Sequence, residues 1–367
     1  METQRPSADT LRGWAAALLT RAGLAEDRAD TVAGVLVEGD LLGHDTHGLQ
    51  LLAPYLDEIA AGRMTAQGEP EVVSDTGPMA LWDGRWLPGP WLVRRAIDHA
   101  SARAAEQGAA TVVIRRSHHI ACLAAYLQPV AEAGRLIILA CSDPSVSSVA
   151  PFGGLSPVVT PNPIAAGIPT EGGPILLDVS TSITTNGMTG RLHRQGGRLP
   201  HPWVQDSQGR ATDDPAVLFA DPPGTILPIG GQDHGHKGFA LSLLIEALTA
   251  GLGGYGRAEP EKRWGAAVFL QIIDPALTGG QGAFRHQMEA LARSCRGSRV
   301  PDGAPPVRLP GERGLERRRQ QLASGVALSP AILDALRAKS AALGVPVPDG
   351  LGQSKQSQAK QSQAKPG

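Results

Sequence analysis

The sequence lacks several features that would assign it at once to a class of protein. Its 367 residues include three cysteines, Cys122, Cys141 and Cys295, and none of them forms a CxxC pair. Three cysteines exclude a disulfide framework and favour the reducing environment of the cytoplasm. The first residues contain no apolar segment typical of a signal peptide, and the longest apolar run, Leu136 to Cys141, is far too short to cross a bilayer. We therefore expect a cytoplasmic protein without a membrane partner.

An excess of charge of either sign is also missing. The chain has 34 Lys and Arg against 35 Asp and Glu, a net charge of −1, and 42% hydrophobic residues, as in an ordinary globular protein. Without a basic face, nucleic acid is not an expected partner. Lysine itself is scarce, since Lys237 is the only one before Lys262. Chance explains this about as well as a need for a compact ammonium group at residue 237.

Apolar residues recur with helical spacing at both ends of the chain. The pattern predicts helices over 10–22, 27–42, 47–61, 91–107, 284–294, 312–323 and 330–343. Ser7 or Asp9 is a candidate cap for the first of them. The first hundred residues are thus expected to be helical.

Short apolar segments rich in β-branched residues predict strands in the middle of the chain. They lie at 111–114, 135–141, 158–159, 164–168, 175–179 and 268–273, with helices at 121–133 and 239–252 and long surface loops over 190–235. Because 239–252 is apolar nearly all round, that helix is expected to be buried. The strands are short and broken by proline and glycine, which favours an α/β (α+β) fold with a mixed sheet over a doubly wound parallel one.

This order of elements predicts three regions. Residues 1–110 form a helical region that packs with the helices of 300–350, and residues 111–299 form the mixed-sheet domain. The tail, 351–367, repeats Gln, Ser, Ala and Lys and has too few apolar residues to offset its chain entropy, so we expect it to be disordered.

Two histidines stand at the start of the third predicted helix, in Gly43-His44-Asp45-Thr46-His47-Gly48. Steps of three and four residues place His44, His47, Leu51 and Tyr55 on one helical face. A histidine beside a tyrosine is a candidate proton donor, because its ordinary pKa lies near neutrality. Capping of the helix start explains the same spacing. A metal site is a further alternative, since more histidines occur in Ser117-His118-His119 and His234-Gly235-His236, but no metalloprotease motif is present.

A glycine-flanked lysine precedes the apolar helix, in Gly235-His236-Lys237-Gly238. Free backbone N–H groups at a helix start, together with an ammonium group, make a candidate phosphate site. A plain helix-capping loop is the alternative. The segment 251–256 matches GxGxxG, but it follows a helix rather than a strand, so we interpret it as a helix end and not as a Rossmann fingerprint.

Several segments in order resemble one known family, the type-2 malate/L-lactate dehydrogenases, which also include ureidoglycolate and sulfolactate dehydrogenases and cyclic-imine reductases. The similar segments are 43–48 with Tyr55 and Gly62, 117–119 with Tyr126 and 131–134, Ser142 with 151–154, 162–164, 177–182, 235–238 and 309–312. Their order is more specific than any one of them.

The resemblance implies a homodimer with a non-Rossmann, mixed-sheet cofactor domain framed by helices from both chain ends. It implies hydride transfer between NAD or NADP and a small 2-oxo acid or imine, without a metal. His47 is the implied proton donor, with His119 as the alternative and His44 beside them. The cofactor residues that it implies are Ser142, Asp178, Val179, Ser180, Thr181, Ser182, His236, Lys237, Gly311, Glu312 and Arg313.

The sequence also departs from the family pattern. Leu51 occupies the place of an arginine that would hold a substrate carboxylate in a two-pronged hydrogen bond, which leucine cannot form. His118 replaces an asparagine. We predict Tyr55, His118 and Arg116 as substrate-binding residues, with Arg115, Arg116 or His118 as the candidates for a replacement charge. Two alternatives stay open: a dinucleotide-binding paralogue without catalysis, and a metal-dependent hydrolase that uses the histidines.

Overall fold

The computed structural model describes residues 5–258 and 261–352. Its helices are α1 Ala8–Arg21, α2 Glu26–Leu42, α3 Leu52–Ala60, α4 Gly89–Gln107, α5 Leu127–Glu132, α6 Asn186–Arg194, α7 Gly231–His234, α8 His236–Glu246, α9 Gln281–Arg296, α10 Glu312–Ser324 and α11 Pro330–Leu343. Its strands are β1 Glu71–Asp75, β2 Met79–Asp83, β3 Ala109–Ser117, β4 Leu136–Ser142, β5 Pro163–Ile168, β6 Ile175–Ser180, β7 Val204–Gln205, β8 Ala211–Thr212, β9 Thr225–Ile226 and β10 Ala266–Ile273. None of these helices combines the length and the apolarity that a bilayer span requires.

A seven-stranded mixed sheet forms the centre of the fold, in the order β1-β2-β3-β10-β4-β5-β6. Only β2 and β3 run parallel, and the other neighbours are antiparallel. The late strand β10 lies between β3 and β4, and its residues Val268, Leu270 and Ile272 are fully buried. The predicted mixed-sheet α/β class is therefore confirmed, and no doubly wound parallel sheet is present in the described residues.

Helices from the two ends of the chain pack on each other. Ser7 caps α1 by accepting the N–H of Thr10 at 3.0 Å. The indole of Trp14 in α1 donates to Ser340 in α11 at 2.7 Å, inside the core. The side chain of Gln321 in α10 donates to the carbonyl oxygen of Asp40 at the end of α2 at 2.8 Å. Buried hydrogen bonds of this kind fix the helices' mutual positions.

Several local predictions were wrong. The first hundred residues are not all helical, because β1 and β2 extend the sheet there: β1 pairs with β2, and β2 pairs with β3. Segment 190–235 is more than loops, since it contains most of α6, the three-stranded sheet β8-β7-β9, and α7. The predicted strand 158–159 is reduced to an isolated bridge between Val149 and Val159. The predicted helix 121–133 starts with a 3-10 turn, Leu123–Tyr126, before α5.

The apolar helix predicted at 239–252 is α8 followed by a π-helical turn, Ala247–Gly251. Its predicted full burial is wrong for the single chain. Leu241, Leu243 and Leu244 are 48%, 51% and 50% exposed, while Ile245 faces the sheet and is buried. A helix that is apolar all round thus has one side uncovered. The predicted disordered tail lies, from residue 353 onward, outside the described residues.

Candidate active site

The turn that carries His44 and His47 is not the start of a regular helix. Two short 3-10 turns, Asp45–His47 and Leu49–Leu51, meet at Gly48, and α3 begins only at Leu52. The carboxylate of Asp40 in α2 explains the break, because its Oδ2 accepts the N–H of Leu49 at 2.7 Å. A Cβ on Gly48 would lie 2.3 Å from the other oxygen of Asp40. The single helical face predicted for residues 44–55 is therefore wrong.

Asp40 lies directly behind this turn and is only 2% exposed. Burial raises its pKa from 3.8 to about 7, although the Leu49 N–H and Arg317 oppose the shift and Asp45 adds to it. A buried carboxyl group without a full counter-charge favours its neutral form. Asp40 therefore holds the catalytic turn by hydrogen bonding and close packing.

The structure brings the predicted catalytic residues together. The rings of His47 and His119 stack with their centroids 5.9 Å apart and an interplanar angle of 27°. The hydroxyl of Tyr55 lies 2.8 Å from Nδ1 of His119. The indole of Trp264 covers the same imidazole at 4.7 Å. Residues from four separate segments thus form one aromatic cluster, which we call the histidine cluster.

The hydrogen bonds of His119 determine which of its nitrogens is protonated. The backbone N–H of Ala121 points to Nδ1 at 3.3 Å, and an N–H group can only donate. Nδ1 is therefore the acceptor and the ring proton lies on Nε2, while the Tyr55 hydroxyl shares its one proton between Nδ1 and the carbonyl oxygen of His119 at 3.1 Å. Burial lowers the pKa of His119 well below its usual value, and His47 and His118 lower it further. His119 is a neutral hydrogen-bond donor.

His47 has a different electrostatic environment. Its Nδ1 lies 2.9 Å from the hydroxyl of Thr46. Burial lowers the pKa of His47 below its ordinary value; the carboxylate of Asp178 offsets part of this shift, and His44 adds to it. Of the two stacked imidazoles, only His47 is supported by a nearby carboxylate. It is therefore the better carrier of a proton.

Asp178 comes from β6 and is fixed by the segment that follows His119. Its Oδ2 accepts the backbone N–H of Ala124 at 2.9 Å. One donor atom each from His44, Cys122 and Asp178 lies within 4.8 Å of the others, a set that could ligate a divalent metal. Burial raises the pKa of the Cys122 thiol, however, and tight metal binding needs the thiolate. Asp178 serves more directly as the charge beside His47.

Two of the three predicted substrate residues belong to the histidine cluster. The ring of His118 meets that of Tyr55 edge-on at 5.5 Å, and its Nε2 lies 3.6 Å from Glu58. Burial lowers the pKa of His118 to about 4, so the ring is neutral. Arg116 is placed elsewhere: its guanidinium group pairs with the buried Asp83, at the end of β2. The structure does not bring Arg116 to the cluster.

The segment 178–182 continues from β6 into a loop whose side chains bond to the local backbone. The hydroxyl of Ser180 donates to the carbonyl oxygen of Ser182 at 2.6 Å, and that of Thr181 to Pro161 at 2.9 Å. Val179 is exposed. Ser142, at the end of β4, is buried and donates to Glu246 at 3.0 Å. The Ser142 hydroxyl is therefore buried behind the site and is not exposed at its surface.

Lys237 lies near the same strand. Lys237 and His236 are exposed at the first turn of α8. The next residue, Gly238, packs so closely that a Cβ there would lie 2.7 Å from the carbonyl oxygen of Thr181. Thr181 is three residues beyond Asp178, which corresponds to about 10 Å of extended chain. The segment Gly235–Gly238, which carries Lys237, and the histidine cluster therefore both lie next to β6.

The third predicted cofactor segment lies at the other end of β6. Gly311, with φ +88°, packs against Leu176, whose N–H donates to the carbonyl oxygen of Pro310 at 3.1 Å. The carboxylate of Glu312 accepts the Leu309 N–H at 2.9 Å and pairs with Arg296 at 2.7 Å. This segment borders a cleft of about 870 Å³ along α10.

The sequence did not reveal three of these features. Asp40 has no motif of its own, Trp264 lies far from the histidines along the chain, and Asp178 was predicted only to bind a cofactor. The one available signal was for Gly48, since a glycine inside a predicted helix weakens that prediction. The cleft along α10 also escaped notice because its arginines are spread over two segments.

The fold is one known from dehydrogenases, and the described residues contain no Rossmann domain. The family model described as malate/L-lactate dehydrogenase matches residues 7–337, and the chain belongs to this family. It is 31% identical to an L-lactate dehydrogenase of Cupriavidus necator over 88% of this chain and 93% of that protein. It is 33% identical to a pyrroline- and piperideine-2-carboxylate reductase of Pseudomonas syringae over 86% of this chain and 90% of that protein.

Solved structures agree with this assignment. Malate dehydrogenase of Entamoeba histolytica superposes with a TM-score of 0.89 at 25% identity, covering 95% of this chain and 100% of that one. The piperideine-2-carboxylate reductase of Pseudomonas syringae gives a TM-score of 0.80 at 28% identity, covering 92% and 100%. The predicted resemblance is confirmed, and the relatives act on hydroxy acids and on cyclic imines.

Proposed function

We propose that this chain transfers a hydride between NAD(P)H and the carbonyl or imine carbon of a small 2-oxo acid or a related compound. The observation that carries the proposal is the stacking of His47 on His119, with Asp178 supporting only the first ring. Such a pair provides one proton carrier and one fixed hydrogen-bond donor. Relatives named as lactate dehydrogenase and as pyrroline-2-carboxylate reductase support both kinds of substrate.

The two histidines have different roles in this proposal. His47 gives its proton to the oxygen or nitrogen that becomes negative as the hydride arrives, because Asp178 favours its protonated form. His119 donates from Nε2 to the same atom without losing its proton, since burial keeps it neutral. His44, in the same turn as His47, has a ring nitrogen within 4.8 Å of a carboxylate oxygen of Asp178 and would orient that carboxylate.

The cofactor, NAD or NADP, supplies the hydride when bound. The chemistry of the donor groups suits it. Lys237 is exposed at a helix start and has no carboxylate within ion-pairing distance in the described residues. Lys237 and His236 would hold phosphate oxygens, while segments 178–182 and 311–313 would line the rest, with Ser142 behind them.

The substrate-binding residues are proposed from their positions relative to the histidine cluster. Tyr55 and His118 lie in the cluster, whereas Arg116 would have to leave Asp83 to reach it. Leu51 is partly buried and packs against the core, so its side chain offers a substrate an apolar surface and no charge. A substrate whose carboxylate is held by other groups fits this arrangement. Leu51 also favours a second candidate function, a dinucleotide-binding paralogue without catalysis.

A panel of 2-oxo acids and cyclic imines, assayed with NADH and NADPH, separates the two candidates. The dehydrogenase oxidises one of the cofactors with at least one substrate. Cofactor binding without oxidation on any substrate would favour the paralogue. Stoichiometric metal in the purified protein would instead favour the hydrolase alternative.

A pair of matched variants tests the roles of the histidines. We expect His47→Gln to lower kcat about 100- to 10,000-fold, the usual contribution of a general acid. Cofactor affinity should stay within about twofold, since only the proton carrier changes. His119→Gln, which retains a hydrogen-bond donor, should lose about tenfold or less. Unchanged turnover in His47→Gln would contradict the assignment.

We also propose a homodimer, in which a second copy covers the exposed side of α8. The three half-exposed leucines lie on one helix, and an exposed apolar surface of this kind often marks an interface between proteins. Light scattering should give twice the mass of the chain. Leu241→Glu with Leu244→Glu should give the mass of one chain, whereas Leu322→Glu, at an exposed leucine on α10, should not.

A further inference from the structure

A cleft lined by arginines lies along α10. Its volume is about 870 Å³, which is enough for a nucleotide-sized ligand. The walls are the turn Gly172–Pro174 and the first half of α10. Its charged lining residues are Arg296, Arg308, Arg313, Arg317, Arg318 and Arg319 against Glu132, Glu312 and Glu316. Six lining residues are positive and three are negative; because Arg317 and Arg318 also pair with Asp45 and Glu38, which lie outside the lining, the excess is one positive charge. We call this the arginine cleft.

Most of these arginines already have carboxylate partners. Arg296 pairs with Glu312, Arg317 with Asp45, Arg318 with Glu38, and Arg319 with Glu316. Arg308 and Arg313 have no carboxylate within ion-pairing distance in the described part of the chain. Two guanidinium groups free to donate, in a cleft with excess positive charge, suit an anion with several oxygens.

Two residues at the cleft contact elements of the candidate active site. Arg317 forms its ion pair with Asp45 at 3.2 Å, and Asp45 lies in the turn that carries His44 and His47. Gly311, at the start of α10, packs against Leu176, two residues before Asp178 in β6. A ligand in the cleft is therefore adjacent to the elements that carry the reacting groups.

The one acidic group at the start of α10 is already occupied. In many dinucleotide sites a free carboxylate accepts the 2′-hydroxyl of the adenosine ribose and repels a phosphate there. Here Glu312 accepts the Leu309 N–H and pairs with Arg296, so its charge is balanced. What remains free at this end of the cleft is the charge of Arg308 and Arg313. This positive charge favours the binding of a phosphate group over that of a hydroxyl group.

We infer that the arginine cleft binds the 2′-phosphate of the cofactor's adenosine moiety through Arg308 and Arg313, and so selects NADP(H) over NAD(H). The inference rests on the proposed function, since it assumes a nicotinamide dinucleotide. It adds the choice of cofactor and the two residues that make it.

Isothermal titration with adenosine 2′,5′-bisphosphate and with ADP tests the inference directly. We expect the first to bind the wild-type protein at least about tenfold more tightly, as one charge-assisted contact provides. The double variant Arg308→Gln with Arg313→Gln should bind the two probes within about twofold of each other. The control Arg299→Gln, at an exposed arginine outside the cleft, should keep the wild-type difference. NADPH and NADH, measured by fluorescence, should follow the same order.

Two outcomes would overturn the inference: equal binding of both probes by the wild type, or an unchanged preference in the double variant. Inorganic phosphate is a third probe, and if it competes as strongly as the bisphosphate, the cleft is a general anion site and the inference fails. Adenosine 2′,5′-bisphosphate and ADP contain no nicotinamide and cannot take part in hydride transfer. Probe selectivity without any hydride transfer would therefore refute the proposed function alone, and efficient turnover with NADH would refute this inference alone.

Discussion

The histidine cluster and the arginine cleft are neighbours, but the ionisable groups of the cluster are buried whereas those of the cleft are in contact with water. In the cluster, burial lowers the pKa values of His118, His119 and His47, and the carboxylate of Asp178 offsets part of the shift for His47. In the cleft, guanidinium groups stay charged in contact with water and pair with carboxylates. One charge removed from the cluster should therefore matter far more than one removed from the cleft.

Loss of the carboxylate beside His47 is the most severe test of this contrast. In Asp178→Asn the pKa of His47 should fall, because the group that raises it is gone. Protonated His47 then disappears at lower pH, so the pH at which reduction is half lost should move down, and kcat near pH 7 should fall about 10- to 100-fold. A pH profile of kcat checks both effects. Cys122→Ala, which removes a neighbour of Asp178 but no charge, should shift the profile little; an unshifted profile in Asp178→Asn would show that His47 is not under its control.

Asp40 tests the same principle through stability. Its pKa is 3.8 when unfolded and about 7 when folded, so the folded state binds the proton more tightly. Its contribution is complete below about pH 4 and is lost as the pH rises through about 7. Across that window the free energy of unfolding should fall by up to about 1.4 kcal/mol per pH unit. Urea unfolding should show this slope in the wild type and in the exposed-site control Asp302→Asn. The slope should be weaker in Asp40→Asn, and an equal slope there would contradict the assignment.

A neutral hydrogen bond in the cluster should have an intermediate effect. Tyr55→Phe removes the hydroxyl that donates to Nδ1 of His119 and leaves the ring packing intact. We expect the free energy of unfolding to fall by about 1–3 kcal/mol, as for a buried group left without its partner. Urea unfolding measures this change. Unaltered stability would mean that the hydroxyl does not fix the His119 ring.

An ion pair of the cleft should have the smallest effect. Arg318 pairs with Glu38, and their side chains are 30% and 19% exposed. Arg318→Gln should cost less than about 1 kcal/mol, and less again in high salt, because solvent and ions screen the pair. The same unfolding measurements serve here. A loss greater than that of Tyr55→Phe would reverse the contrast between the two regions.

The sequence predicted most of the elements because their signals are local. Apolar periodicity located α1, α2, α4 and α11 to within about two residues, and β-branched segments located β3, β4, β5, β6 and β10. It failed where distant residues decide the local structure. The third helix was predicted from His47, but the carboxylate of Asp40 breaks it at Gly48. The strands β1 and β2 form because β3 offers a partner, which no local pattern shows.

The candidate site was predictable in its members but not in its arrangement. The order of motifs pointed to His47, His119, Tyr55 and Asp178, and the family match supports that order. Which histidine carries the proton depends on the 2.8 Å contact of Tyr55 with His119 and on the approach of Asp178 to His47. Those distances follow from the sheet order, in which strands remote in sequence become neighbours.

Residue type and spacing along the chain thus set the family, most of the helices and strands, and the reactive side chains, because each depends on neighbours a few residues away. Folding alone decided which charges are buried, which are paired, and which remain free, as Arg308 and Arg313 do in the arginine cleft. Desolvation and electrostatic pairing act through space, so a group's ionisation depends on neighbours that the order of residues does not reveal.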